Sequence, residues 1–141
     1  MSGLVKVGWD VNQIIHELHH AILNDKVEDV ESSLELLRGL ADERDDSLID
    51  AVAENLSVFV CVLLSAEVSI DIKEQVMEIL SFVSDIGVET RLTFVKNSLM
   101  VRTLVGILQH MRNHEKLTQF AALTLNNIAN GPGSRAYLKP F

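Results

Sequence analysis

The sequence predicts an all-α fold, a right-handed α-solenoid of about three stacked helical units in one domain. Three observations lead to this prediction. Apolar residues recur at helical spacing along nearly the whole chain, as in Ile14, Leu18 and Ala21. The pattern repeats after 43 to 45 residues. The 141 residues are 48% hydrophobic and 23% charged with only 2 Pro, which excludes a disordered chain and fits one compact helix-rich domain.

Capping residues and helix breakers set the expected limits of the elements. We expect helices over residues 10–24, 25–41, 47–54, 71–84, 89–96, 98–112 and 116–129, the last one stopped by Gly131-Pro132-Gly133. The apolar segment 56–65 is ambiguous on its own, because β-branched and aromatic residues also suit a buried strand. A shift of 44 aligns residues 60–64 with the helical residues 104–108, so this segment is predicted to be a helix too.

The longer helices repeat with nearly the same period. A shift of 45 aligns residues 72–83 with 117–128, and a shift of 43 aligns 37–40 with 80–83. One domain over residues 1–141 is therefore predicted, with units at about 10–42, 46–86 and 88–131 and a partial next unit at 134–141. That last segment would either cap the stack or begin a further repeat of a longer array. A period in the mid-forties with two or three helices per unit is typical of armadillo and HEAT arrays.

The last complete unit carries the most specific motifs. The segment Glu89-Thr-Arg-Leu-Thr-Phe-Val-Lys96, followed by Leu104-Val-Gly-Ile-Leu108, resembles the first and second helices of an armadillo repeat. Phe120-Ala-Ala-Leu-Thr-Leu-Asn-Asn-Ile-Ala-Asn-Gly131 is similar to the third helix of importin-α and β-catenin repeats. The resemblance covers about residues 10–141. It implies a concave groove lined by third helices, where Asn127 would hydrogen-bond the backbone of an extended partner peptide.

The chain departs from the nuclear-import receptors at the residues that those receptors repeat. Leu123 stands where their tryptophan lies, and Phe82 and Gly39 occupy the positions equivalent to Asn127 in the two preceding units. The ladder of tryptophan and asparagine is therefore absent. Recognition of a nuclear localisation signal does not carry over with the fold.

An acidic row follows the third helices when the units are aligned. Glu31 and Glu35 align with Glu74 and Glu78, and the row continues as Gln119, Leu123 and Asn127. If these side chains share one face, they favour a partner polypeptide that bears lysine or arginine. The alternative is that they form only the solvated sides of amphipathic helices.

Charge and motifs limit the classes of function. The chain holds 20 acidic and 12 basic residues, a formal net charge of -8, which disfavours nucleic acid and anionic membranes as partners. No catalytic, glycine-rich phosphate-binding or cofactor motif is present, so we expect a non-enzymatic adaptor for protein partners, without cofactors. The alternative is a fragment or subunit of a larger scaffold, which self-associates through its array ends or stacks on further repeats.

Histidine and cysteine give no metal or redox prediction. His16, His19 and His20 lie within one and a half turns of a helix, but no further ligand accompanies them or the His110 and His114 pair, so no metal site is expected. Cys61 lies in the longest apolar run, where a buried core thiol is expected. That run is too short to span a membrane, and the first residues lack the design of a signal peptide. We expect a cytoplasmic or nuclear protein.

Overall fold

The computed structural model describes residues 10–134 and 136, and every regular element among these residues is helical. The α-helices are α1 (Val11–Leu23), α2 (Val27–Asp42), α3 (Asp46–Glu54), α4 (Leu56–Leu64), α5 (Ile70–Ile86), α6 (Arg91–Lys96), α7 (Ser98–His110) and α8 (Glu115–Ala129), with a 3-10 turn at Val88–Thr90 before α6. The all-α prediction is confirmed. Most of the predicted partial unit, residues 134–141, lies outside the described residues.

Local side-chain chemistry explains where several helices begin. The Asp10 carboxylate accepts a hydrogen bond from the Gln13 amide at 2.8 Å, and the Gln13 side chain accepts one from the Asp10 amide at 3.4 Å. This reciprocal arrangement is a capping box, which satisfies amides that the first turn of a helix leaves unpaired. Ser69 caps α5 and Asn97 caps α7 more simply, because each side chain accepts a hydrogen bond from a backbone amide of the first turn without a reciprocal bond.

The ambiguous segment is the helix α4, as predicted from its repeat partner. Phe59, Val60 and Val62 are buried, but Cys61 is exposed, so the prediction of a core thiol is wrong. The cause is that α4 is apolar on nearly all sides, and composition alone does not show which side faces out. Cys61 lies on the same side as Leu64, which is 56% exposed.

The helices pack in an order that follows the sequence period. Helix α2 contacts α5 and α5 contacts α8 most extensively of all, while α1 contacts α4 and α4 contacts α7. Each long helix also packs on its chain neighbour, in the pairs α1 with α2, α4 with α5 and α7 with α8. Helices that occupy equivalent positions in successive units are therefore neighbours in space. One hydrophobic core runs through the stack from Val11 to Ile128.

A helix that spans a membrane needs about 20 predominantly apolar residues. Among the described residues no single helix satisfies both the length and the hydropathy requirement. Within these residues, α3 and α4 reach the required length and hydropathy when they are taken as one segment. The two helices are bent by 67° relative to each other.

Gly87 lies where the end of α5 approaches α3. A Cβ at this position would stand 2.6 Å from Ile49 Cγ2 and 2.7 Å from the Val83 carbonyl oxygen. The Val83 oxygen belongs to the backbone of α5 and Ile49 packs against the core, so a side chain at position 87 would force one of them to shift. Gly106 in α7 is the opposite case, since a Cβ there would meet nothing within 4 Å.

These two glycines should respond to alanine in opposite directions. We expect Gly87→Ala to lower the free energy of unfolding by about 1–3 kcal/mol through overpacking. Gly106→Ala should raise it by about 0.5–1 kcal/mol, because alanine favours the interior of a helix. Urea denaturation followed by circular dichroism measures both, and equal effects would contradict the close approach at Gly87.

Candidate functional site

The predicted binding residues lie on α2, α5 and α8, the last helix of each unit. In the repeat alignment α2, although only the second helix of its unit, corresponds to the third helices α5 and α8. Glu31, Glu35, Gln119 and Leu123 are exposed, and Glu74 and Glu78 are half-buried. We call the surface formed by these six side chains the third-helix face. Because α2 packs on α5 and α5 on α8, the face extends over three neighbouring helices.

An arginine that the sequence analysis did not select lies on the same face. Arg38 Nε is 3.6 Å from Glu78 Oε1, and the two side chains are 50% and 47% exposed. This contact shows that the outward sides of α2 and α5 meet. The sequence offers one signal for it, since Arg38 follows Glu35 by three residues and so lies on the same side of α2.

Asn127 differs from the other predicted site residues because it is buried, at 8% exposure. Its Nδ2 donates to the Ser81 carbonyl oxygen at 3.3 Å and to Ser84 Oγ at 3.2 Å. The amide nitrogen that the armadillo resemblance assigns to a partner's backbone is thus engaged between α8 and α5. The neighbouring Asn126 is the exposed asparagine.

The hydrogen bonds of Asn127 should contribute to stability. We expect Asn127→Ala to lower the free energy of unfolding by about 1–3 kcal/mol, because the buried Ser84 Oγ loses the hydrogen bond that it accepts and the Ser81 carbonyl oxygen keeps only its bond from Ser84 Oγ among side chains. Asn126→Ala is the matched control, with an expected change within about 0.5 kcal/mol at an exposed position. Denaturant titrations of both variants provide the comparison, and equal stabilities would show that Asn127 has no role in holding α8 on α5.

Lys73 lies next to Glu74 in sequence but is buried, at 9% exposure. Its equivalent in the preceding unit is the core residue Val30, so a lysine occupies a row of apolar positions. Burial lowers the pKa of Lys73, because the charged form loses hydration.

The lowered pKa of Lys73 predicts how stability depends on pH. Between the folded pKa and that of an unfolded lysine, about 10.4, the unfolded state binds more protons, so the free energy of unfolding rises with pH in that window. Below the window the cost of burying the charge is present in full. Lys73→Met should therefore stabilise the protein at neutral pH. It should also reduce the rise of the free energy of unfolding with pH.

The control for this variant is Lys116→Met, which removes an exposed lysine from α8. The urea midpoint is measured at neutral pH and at about pH 10 for each protein. The difference between the two midpoints should be smaller in Lys73→Met than in wild type. In Lys116→Met it should equal that of wild type. If the stability of Lys73→Met depended on pH in the same way as that of wild type, burial would not lower the pKa of Lys73.

The histidines remain apart from any cluster of ligands. His16, His20 and His110 are exposed, while His19 and His114 are half-buried. Within residues 10–134 and 136, no group of three or more histidine, cysteine, aspartate or glutamate side chains is placed to hold a metal ion.

Comparison of the chain with protein-family models, with curated proteins and with solved structures finds no match.

Proposed function

We propose that this protein is a non-catalytic adaptor of armadillo type, which binds a lysine- or arginine-bearing segment of a partner protein on its third-helix face. In this proposal the units form a right-handed solenoid, and the protein acts in the cytoplasm or nucleus. The observation that carries the proposal is the placement of four glutamates on the outward sides of two helices packed against each other.

The repeat period supports the armadillo part of the proposal. Helices separated by 43 to 45 residues are neighbours, both among the third helices and among the second helices. Stacking of this kind buries a continuous core and leaves one side of each helix free along the whole stack. A long, regular surface suits an extended polypeptide better than it suits a small molecule.

The charges of the third-helix face favour a basic partner. The face carries Glu31, Glu35, Glu74 and Glu78, and Glu78 already forms a salt bridge with Arg38. A partner arginine would make a similar contact with any of the other three. The net charge of -8 adds a long-range attraction that speeds encounter and weakens as salt is added.

The alternative function, self-association through the array ends, would bury polar groups of α1. Gln13, His16, Glu17 and His20 of this helix are exposed. Stacking another copy on this helix would bury these groups without a matching set of partners, which costs free energy. The third-helix face is the better candidate for the binding surface.

Charge reversal on the third-helix face should weaken the binding of a basic peptide. We expect Glu35→Lys, Glu74→Lys and Glu78→Lys together to weaken the binding of a fluorescein-labelled arginine-rich peptide by about 10-fold or more, because attraction becomes repulsion. The affinity of the triple variant for the peptide should also depend less on the salt concentration. Fluorescence anisotropy at low and high salt measures both quantities, after circular dichroism has shown equal helix content. An unchanged affinity and salt slope would refute the proposal.

The control changes a charge on the same face in the opposite sense. Arg38→Gln removes the cation that competes for Glu78, so the peptide should bind about 2- to 5-fold more tightly, as expected for one exposed ion pair. General damage to the surface would instead weaken binding in both variants.

A further inference from the structure

A second concave surface lies between the first helices of successive units. Helix α3 forms one wall, and the other wall consists of the end of α5, the 3-10 turn and the first half of α6. The cavity volume is about 740 Å³. We call it the first-helix groove, and Ile49, Val88, Asp46, Asp50, Glu54 and Glu89 are the lining residues that matter here.

The two walls of the groove approach each other closely at Gly87 and Ile49. Gly87 allows this approach, since a side chain there would collide with Ile49. Beside the contact, Ile49 is half-buried and Val88 is 46% exposed, so the groove offers apolar surface between its charged edges. Apolar surface in a concavity, combined with a few polar groups, is typical of binding sites.

The charges of the groove are all of one sign. Asp46, Asp50 and Glu54 follow one another at intervals of four residues along α3, and Glu89 lies on the opposite wall. The lining contains no lysine, arginine or histidine. None of the four carboxylates makes a hydrogen bond or ion pair through its side chain with residues 10–134 or 136. Like charges four residues apart destabilise a helix, so α3 retains a repulsion that a bound cation would relieve.

We propose that the first-helix groove binds an extended polypeptide segment with lysine or arginine at alternate positions. Carboxylates four residues apart on a helix are separated by about 6 Å along its axis. Alternate side chains of an extended strand are separated by about 6.6 Å. A strand beside α3 therefore brings successive basic side chains to Asp46, Asp50 and Glu54. The residues between them point to the opposite wall of the groove, where Val88 lies.

This proposal is independent of the third-helix face, because the two surfaces share no residue. The probe is a fluorescein-labelled peptide in which lysine alternates with threonine, compared with a peptide of equal composition whose lysines are consecutive. The alternating peptide should bind wild-type protein more tightly. Asp50→Asn with Glu54→Gln should weaken that binding about 5- to 10-fold, as expected from the loss of two exposed ion pairs.

The matched control is Glu17→Gln with Glu67→Gln, which removes two exposed carboxylates outside the groove and should weaken binding less than about 2-fold. Amide chemical shifts should change within residues 46–54 and 88–93 when the peptide is added. Equal weakening in both double variants, equal affinity for the two peptides, absence of saturable binding, or shifts confined to α2 and α5 would each overturn the proposal. The last of these would assign the peptide to the third-helix face instead.

Discussion

The contact between α5 and α8 is the interaction on which the rest of the structure depends. Helix α5 also packs on α2, α3 and α4, so it contacts helices of all three units. Small side chains allow the close approach to α8: Ser84, Ala121 and Thr124 have no exposed surface. Ser84 and Asn127 then pair their polar groups across the contact. A buried seam with satisfied hydrogen bonds fixes the rotation of α8 more narrowly than apolar packing would.

Because α5 is covered on most sides, little of its surface remains for function. Val76, Met77 and Leu80 have no exposed surface, and Lys73 is drawn into the same environment. Glu74 and Glu78 are only half-buried. The Glu78 side chain meets Arg38 of α2, and this contact connects the exposed sides of the two helices.

The acidic character of the chain is divided between two surfaces of different construction. The third-helix face already contains a cation, Arg38, so part of its charge is balanced within the fold. The first-helix groove has no such cation among its lining residues. Both surfaces carry unfavourable repulsion that the hydrophobic core must offset, which is the physical reason to expect partners of opposite charge.

The sequence by itself determined the helical class, the order of the helices and most of their limits, because these depend on side-chain spacing and on caps within a few residues. It also gave the helical state of α4, through comparison with the equivalent segment of the next unit. Tertiary packing alone decided how each helix is rotated about its axis. Adjacent residues point about 100° apart on a helix, so a modest rotation buries Asn127 and exposes Asn126, turns Cys61 outward, and brings Arg38 to Glu78. Neighbouring helices fix that rotation, and their positions are not a local property of the sequence.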